Sequence, residues 1–390
     1  MNNCFDKIPN RRNTFSLKWN VSEKELPMWV ADMDFETAPC IKNALIERAN
    51  HGVFGYSIIP DEFFESIIGW WQRRHHITFK KEWMTFSTGV VPAISTIVRK
   101  ITTPAENVLI QSPVYNIFYN SIYNNGRNIL SSDLVYENGK YHIDFDDLEK
   151  KLSNPQTTLM ILCNPHNPIG KIWTKEELAR IGELCNKYNV KVISDEIHCD
   201  ITNPGCEYIP FASVNDVCRD ISITCIAGSK VFNLGGLQSA CVVVPNKDLK
   251  HKVERGLNTD EVAEPNSFAM VANIAGFTGA DEWVKELNNY IYENKKLFCE
   301  YVNKNLPKLY IIPSEATYLL WIDVRKYTDD ATTLCEYLRE KTGLYVCVGS
   351  EYGTNGKSFF RINLATSKYN VMDALKRLEI GLDLFEKGQE

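Results

Sequence analysis

Short apolar runs alternate with amphipathic segments through the middle of this 390-residue chain. Each run has the length of a buried strand, and most are followed by turn residues and then by a pattern with helical spacing. The runs that we predict as strands are residues 83–86, 107–110, 159–163, 190–193, 221–226 and 240–244. Strands that alternate with helices favour a mostly parallel sheet that is covered by helices on both faces, since each parallel connection needs a crossover.

The helical segments carry clear start signals and an apolar stripe. The clearest is Lys175–Lys187, where Thr174 and Glu177 form a capping box and Leu178 and Ile181 belong to the buried stripe. A second helix is predicted at residues 61–75.

The pattern changes after about residue 280. Two amphipathic helices, at about 283–303 and 332–341, flank a strand at 318–323, and a strand at 359–364 precedes a last helix. This order is typical of a smaller α+β domain. We therefore predict a large α/β domain at residues 46–282 and a small domain at 283–390.

The composition indicates which kind of molecule the protein binds. The net charge of -6 argues against a nucleic-acid or anionic membrane surface, and no apolar run reaches the roughly 18 residues of a membrane span. The first residues lack the apolar core of a signal peptide, so a cytoplasmic protein is expected, with its 12 cysteines reduced. The seven histidines show no metal-ligand spacing, and no metal site is predicted. A small molecule is the expected ligand.

Two charged residues follow predicted strands. The apolar run that ends at Ile226 leads through a Gly-Ser turn to Lys230, and the run at 190–193 leads to Asp195. A lysine without context is usually solvated, like most of the 43 basic residues here. Ligands in open α/β sheets, however, bind at the carboxyl ends of the strands, where Lys230 and Asp195 could meet in one cleft.

Together such a pair could serve a pyridoxal phosphate enzyme. A desolvated lysine amine can form a Schiff base, and an aspartate can hold a pyridinium nitrogen charged. These are the two groups that this chemistry needs most.

The motifs around these residues resemble the fold-type I aminotransferase superfamily, class I and II. The resemblance rests on Ser229-Lys230-x-Phe-Asn-Leu-x-Gly-Leu, Asp195-Glu-Ile197-His198, Asn-Pro-His-Asn167-Pro-x-Gly and Arg361-Ile-Asn-Leu. More narrowly, Trp-Val30-Ala31-Asp-Met-Asp-Phe, Phe-Gly-Tyr56, Gly89-Val90-Val91-Pro-Ala and the histidine of Asp-Glu-Ile-His are similar to the MalY/PatB branch of C–S β-lyases. The matches run in order over nearly the whole chain.

The resemblance implies a fold and a cofactor. The fold is that of fold-type I PLP-transferases, with a mostly parallel seven-stranded sheet between helices and a smaller C-terminal α+β domain. The N-terminal segment, residues 1–45, is expected to join the small domain. The cofactor is expected to be pyridoxal 5′-phosphate (PLP).

The resemblance also gives roles to the residues that bind the cofactor. Lys230 would carry the cofactor and Asp195 would hold the ring nitrogen. The residues expected at the phosphate are Gly89, Val90, Val91 and Ser229. From the residues alone, Gly89 is equally compatible with an ordinary connection between a strand and a helix. Ala227 departs from the serine that is common in other aminotransferases, so the phosphate would depend more on the other donors.

Four further side chains are placed at the cofactor ring by resemblance. Tyr115, counted with Lys230 and Asp195 as catalytic, would lie against one ring face and Ile197 against the other. Asn167 would donate to the ring hydroxyl oxygen, and His198 stands where aminotransferases usually have a tyrosine. Without the resemblance, we would interpret Tyr115 as an aromatic residue of the core or of a cavity rim, and His198 as a histidine of the core.

Arg361 interrupts an apolar strand, Phe-Phe-Arg-Ile-Asn-Leu. A charge there is costly unless it is paired, either in a structural salt bridge or with a bound carboxylate. The resemblance implies that Arg361 and Asn167 bind the substrate carboxylate, with backbone groups of Val30 and Ala31 completing the clamp.

The reaction implied is α,β-elimination from an amino acid with sulfur at Cβ, such as cystathionine or cysteine, to a thiol, pyruvate and ammonia. An aminotransferase with the same site is the alternative, and a regulatory binding protein on the same fold is another. The leaving group is not determined by the sequence.

Tyr56 lies in a Gly-rich loop with three apolar or aromatic residues that a monomer has little reason to expose. In the family this tyrosine reaches the cofactor phosphate of a neighbouring subunit. A homodimer with shared sites is therefore expected. The alternative is a tyrosine packed within its own subunit.

Overall fold

The computed structural model describes residues 4–388. Its α-helices are, in chain order, α1 (Pro39–His51), α2 (Asp61–His75), α3 (Val90–Ile101), α4 (Asn116–Tyr123), α5 (Phe145–Leu152), α6 (Lys175–Lys187), α7 (Asp216–Ile221), α8 (Lys247–Thr259), α9 (Ala269–Gly279), α10 (Asp281–Asn305), α11 (Ala331–Thr342) and α12 (Lys368–Lys387).

The strands are short, as expected for a chain of this pattern. In chain order they are β1 (Leu26–Pro27), β2 (Met84–Ser87), β3 (Asn107–Ile110), β4 (Asn128–Ser131), β5 (Val135–Glu137), β6 (Lys140–His142), β7 (Thr157–Cys163), β8 (Lys191–Asp195), β9 (Ser222–Ile226), β10 (Ala240–Val243), β11 (Tyr310–Ile311), β12 (Leu319–Asp323), β13 (Leu344–Tyr345), β14 (Cys347–Val348) and β15 (Phe359–Asn363).

The large sheet has seven strands in the order β2-β10-β9-β8-β7-β3-β4. All neighbours are parallel except β10, which is antiparallel to both β2 and β9. The register pairs Cys163 with Asp195 and Asp195 with Cys225. The carboxyl ends of β7, β8 and β9 therefore meet at one edge of the sheet. The predicted fold class is confirmed.

Helices cover both faces of this sheet. Along β7, Leu159 and Ile161 belong to a buried cluster with residues of α3, α4 and α8. Met160 and Leu162, which alternate with them, belong to a second cluster with residues of α5 and α6. This two-sided burial explains why the central strands read as continuous apolar runs.

Some details differ from the sequence prediction, among them several strand ends that shift by one residue. The strand β4 (Asn128–Ser131) was not predicted, because it lies at the sheet edge with Asn128 and Ile129 exposed and therefore lacks an apolar run. Ile221 was assigned to a strand but ends α7, and the strand begins at Ser222.

A second sheet has four antiparallel strands in the order β11-β12-β15-β14. It packs with α10, α11 and α12 in a buried cluster that also contains Leu26 and Met28 of the N-terminal segment. Leu26 pairs with Leu344 through the β1-β13 ladder. The division of the chain after residues 45 and 282 stays a prediction.

No helix within residues 4–388 has both the length and the apolar character that a membrane crossing requires. The cysteines from Cys40 to Cys347 are free thiols, most of them buried in the core.

Candidate active site

A cavity of about 260 Å³ lies at the carboxyl edge of the large sheet. Most of the predicted site residues line it: Ala31, Gly89, Val90, Val91, Tyr115, Asn167, Asp195, Ile197, His198, Ser229 and Lys230. Among the described residues, Lys230 is the only lysine in the wall of this cavity. Residues that lie far apart in the chain are thus brought together here.

Lys230 lies in the turn that follows β9, and its Nζ donates to the carbonyl oxygen of Ala31 at 2.7 Å. Burial and, to a smaller extent, the nearby Arg361 cation lower the pKa of the Lys230 amine to about 8, against the opposing effect of Asp32 and Asp195. A substantial fraction of the amine is therefore neutral near physiological pH, as a nucleophile or base requires.

Asp195 ends β8 and is 4% exposed. Burial raises the pKa of its carboxyl to about 7, while the backbone N–H of Ile197, which donates to Oδ1 at 3.2 Å, and the Lys230 charge lower it. A cationic ring nitrogen in the cavity would stabilise the ionised form of this carboxylate.

The start of α3 forms one side of the cavity. Gly89 caps this helix without a side-chain hydrogen bond, and Val90 and Val91 are its first two residues. The amides of a first helical turn point outward and, with the helix dipole, favour an anion. Ser229 lines the same cavity, and Thr88 and Gln238, which the sequence analysis did not single out, add polar groups to its wall.

Asn167 links the cavity to Arg361. The Arg361 guanidinium donates through Nη1 to Asn167 Oδ1 at 3.1 Å and through Nη2 to the carbonyl oxygen of Trp29 at 2.9 Å. Because Oδ1 accepts from Arg361, the Nδ2 group of Asn167 is the donor left for a ligand.

Arg361 lies in the middle of β15, between Trp321 of β12 and Cys347 of β14, and is 4% exposed. Its Nε has no hydrogen-bond partner among residues 4–388. The guanidinium is thus a buried cation that contacts neutral oxygens and the ring of Tyr352, 5.0 Å away. A buried cation without a counter-charge is suited to bind a carboxylate.

His198 and Tyr115 form aromatic walls of the cavity. Burial lowers the pKa of His198 well below its usual value, with Lys230 and Arg361 contributing, so its imidazole is neutral. Its Nδ1 is buried without a partner in the described part of the chain. Burial raises the pKa of Tyr115, which therefore stays a neutral phenol.

The segment around Val30 and Ala31 is held through its carbonyl oxygens. Asn363 Nδ2 donates to Val30 O at 2.6 Å, and Ala31 O accepts from Lys230 and also from the Tyr318 hydroxyl at 2.9 Å. The binding of a substrate carboxylate by Val30 and Ala31 stays a prediction. Tyr318 and Asn363 were not predicted to belong to the site.

Tyr56 lies outside the cavity and is fully exposed. Its neighbours Val53, Phe54 and Ile58 are also exposed. Within a single chain Tyr56 is not packed against its own subunit. Its assignment to the site of a second subunit stays a prediction.

A separate polar cluster surrounds Asp200. Its Oδ1 accepts from Trp70 Nε1 and Arg74 Nε and contacts His75 Nε2, each at 3.0 Å. Cys199 lies next to it, so His75, Cys199 and Asp200 have the atoms of a metal site. The Arg74 cation and the hydrogen bonds already made to Asp200 instead identify it as an ion-pair network.

The donor set of the cavity fits PLP. Lys230 would offer a desolvated amine to the aldehyde, the buried Asp195 carboxyl would pair with the ring nitrogen, and the α3 amides would bind the phosphate. Asn167 Nδ2 would supply a donor to an oxygen of the ring.

Comparison with known proteins identifies the family. The aminotransferase class I and II family matches residues 24–378. Cystathionine beta-lyase PatB of Bacillus subtilis (strain 168) is 40% identical over 97% of this chain and 99% of its own. Protein MalY of Escherichia coli (strain K12) is 32% identical over 92% of this chain and 93% of its own.

A solved structure agrees with these relatives. The crystal structure of cystalysin from Treponema denticola, which contains a pyridoxal 5′-phosphate cofactor, superimposes with a TM-score of 0.95 at 30% identity and covers 98% of this chain and 99% of its own. The chain belongs to the aminotransferase class I and II family, in its branch of C–S β-lyases similar to PatB and MalY.

Proposed function

We propose that this protein is a PLP-dependent C–S β-lyase that cleaves cystathionine or cysteine-type amino acids. The products are a thiol, pyruvate and ammonia, with one water consumed. The observation that carries the proposal is the meeting of Lys230, Asp195 and the start of α3 in one cavity. The similarity to cystathionine β-lyase over nearly the whole chain supports the same activity.

PLP, when bound, withdraws electron density from the substrate Cα and so acidifies its proton. In the mechanism that we propose, Lys230 Nζ removes that proton, for which its lowered pKa is suited. Asp195 holds a positive charge at the ring nitrogen, and the carboxylate is desolvated, which strengthens this interaction.

Arg361 and Asn167 orient the substrate in this proposal. The buried guanidinium binds the α-carboxylate, and the carboxylate supplies the counter-charge that the cation otherwise lacks. Fixing the carboxylate fixes the direction of the Cα–H bond relative to Lys230, which is where orientation lowers the barrier. The sulfur then leaves as a thiol after it takes up a proton.

The test is one incubation of the purified protein with L-cystathionine, PLP and no keto acid. We expect homocysteine, pyruvate and ammonia in equal amounts over many turnovers. An aminotransferase would instead stop after about one turnover and resume when a keto acid is added. A panel that includes cysteine and other S-conjugates would then rank the leaving groups.

A regulatory binding protein remains the alternative of another class, and a pull-down with turnover measured beside it separates the two. We place the enzyme in the cytoplasm. Its net charge of -6 supports a small amino acid as partner in preference to nucleic acid or membrane.

We infer a homodimer with two shared sites, each completed by Tyr56 of the other subunit. The inference is supported by the exposure of Tyr56 and of Val53, Phe54 and Ile58 in one loop. Loops of this composition are typical of contacts between subunits.

A further inference from the structure

The carbonyl oxygen of Ala31 accepts two hydrogen bonds inside the site. One comes from Lys230 Nζ at 2.7 Å and the other from the hydroxyl of Tyr318 at 2.9 Å. A carbonyl oxygen has two lone pairs, so both acceptor positions are used. Tyr318 is fully buried and its ring lies edge-on to His198, with ring centroids 6.1 Å apart. Tyr318 is thus fixed on one side of the acceptor that holds the Lys230 amine.

The residue before Tyr318 has a strained backbone conformation, and this conformation orients the Tyr318 side chain. Thr317 has φ +64°, which is rare for a β-branched residue. The conformation is held by the N–H of Thr317, which donates to Ile201 O at 2.7 Å, and by Thr317 Oγ1, which accepts from the N–H of Leu319 at 3.1 Å. Because such strain persists only where the surroundings enforce it, the placement of the Tyr318 hydroxyl is built into the fold.

The carbonyl itself is part of a segment held at each of its oxygens. The carbonyls of Trp29, Val30 and Asp32 accept from side chains of β15, namely Arg361 and Asn363. The Ala31 carbonyl differs, because its donors are Tyr318 and the reactive lysine.

We propose that Tyr318 is a positioning residue for Lys230, and that the Ala31 carbonyl is the resting place of the Lys230 amine whenever that amine is not bonded to the cofactor. The proposal rests on the proposed function, since it assigns a place to the base of that reaction. With one N–H given to Ala31 O, the nitrogen lone pair of the neutral amine is restricted to the two remaining positions on Nζ. When the Cα proton moves to Nζ, the ammonium that forms still donates to the same oxygen.

Tyr318 also sets the strength of this acceptor. Its hydroxyl draws electron density from the Ala31 oxygen, which then stabilises an ammonium less than a singly bonded carbonyl would. Removing the hydroxyl should therefore raise the pKa of Lys230. It also frees the second lone pair of the Ala31 oxygen, so that the amine can donate to this oxygen in more than one direction.

The test compares wild type with Tyr318→Phe and with the control Tyr119→Phe. The control also loses a hydrogen bond to a backbone carbonyl, since the Tyr119 hydroxyl donates to Tyr352 O at 2.9 Å, together with a contact to Ser112 Oγ at 2.9 Å. Tyr119 is not in the wall of the cavity. The first readout is independent of turnover. Each full-length protein is stripped of PLP, recharged at a series of pH values, and the amount of PLP fixed on Lys230 is measured by mass after borohydride reduction.

For Tyr318→Phe we expect the midpoint of this pH profile to rise by about half a unit or more, the equivalent of one lost hydrogen bond. We also expect kcat on cystathionine to fall at least about tenfold, with KM within about twofold, since orientation is lost and not binding. Tyr119→Phe should match wild type in both readouts.

An unshifted pH midpoint in Tyr318→Phe would overturn the proposal, even if its thermal stability fell, because a merely structural tyrosine would give that result. A shift of the same size in Tyr119→Phe would overturn it as well. Absence of turnover in wild type would refute the proposed function instead, while the pH profile of PLP capture would still test Tyr318.

Discussion

Removal of the buried Arg361 charge should separate binding of substrate from stability of the fold. In Arg361→Met, two hydrogen bonds to neutral oxygens are lost, at 3.1 Å and 2.9 Å, each worth about 1.5–3 kcal/mol for a charged donor. Desolvating the guanidinium costs several kcal/mol in the native protein, and the substitution removes this penalty as well, which offsets the lost hydrogen bonds. The free energy of unfolding should therefore stay within about 2 kcal/mol of wild type.

Substrate binding has no such compensation. Truncating one partner of a buried charge pair costs about 2–5 kcal/mol, or roughly a 30-fold to 4000-fold loss at 1.4 kcal/mol per factor of ten. We expect kcat/KM for pyruvate release from cystathionine to fall by that factor in Arg361→Met.

The matched control is Arg127→Met. Arg127 is also a buried arginine that donates to neutral oxygens, those of Thr102 and Arg99, but it lies outside the cavity. Because Arg127 makes four such hydrogen bonds, against two for Arg361, this variant should lose stability in urea unfolding and keep its kcat/KM. A kcat/KM within about threefold of wild type in Arg361→Met would refute the carboxylate site.

Three further outcomes follow from the site and its surroundings. Burial raises the pKa of Asp195 from 3.8 to about 7, so in the PLP-free protein this group stabilises the fold below about pH 4 and stops doing so as the pH rises through 7. The free energy of unfolding in urea of Asp195→Asn, relative to wild type, should therefore increase by up to about 4 kcal/mol between pH 4 and pH 8. A difference that stays constant over this range would contradict the shift. Burial raises the pKa of Asp200, but His75 and other donors outweigh it and hold the pKa at about 2. Asp200→Asn should therefore cost about 2.5 kcal/mol more at pH 7 than below pH 2, and a pH-independent cost would argue against the ion pair. If Tyr56 acts in the partner's site, mixing inactive Lys230→Ala and Tyr56→Leu proteins should restore activity through one intact site per mixed dimer, and mixed dimers confirmed by mass that remain inactive would exclude sharing.

Much of the fold could be predicted because the central strands are buried on both faces and read as apolar runs. The positions of Asp195 and Lys230 could be predicted for the same reason, because the last residue of an apolar run shows where the strand ends. The edge strand Asn128–Ser131 could not, because its exposed residues carry no such pattern.

Contacts between distant segments were beyond the sequence. The Tyr318 hydroxyl and the Ala31 carbonyl are 287 positions apart, and no local motif joins them. Asn363 lies two residues after Arg361 along β15, so the two side chains point to the same face of the strand. This spacing could have identified Asn363 as a site residue. The role of Tyr56 depends on a second subunit and lies outside what one chain can show.

Two buried lysines allow a direct test of the central assignment. Lys295 resembles Lys230 in that burial lowers the pKa of its amine, to about 7. Its Nζ, however, donates to Asn203 Oδ1, Ser314 Oγ and Ala316 O at 3.0–3.2 Å, and it does not line the cavity. Low pKa alone would allow either lysine to react, whereas position selects Lys230.

The decisive measurement is peptide mapping by mass spectrometry of the PLP-loaded protein after borohydride reduction. We predict one PLP group per chain, on Lys230, with no adduct on Lys295, and loss of both the adduct and pyruvate release in Lys230→Ala. A PLP group on Lys295, or a Lys230→Ala protein that still carries a reducible adduct and releases pyruvate, would contradict the account.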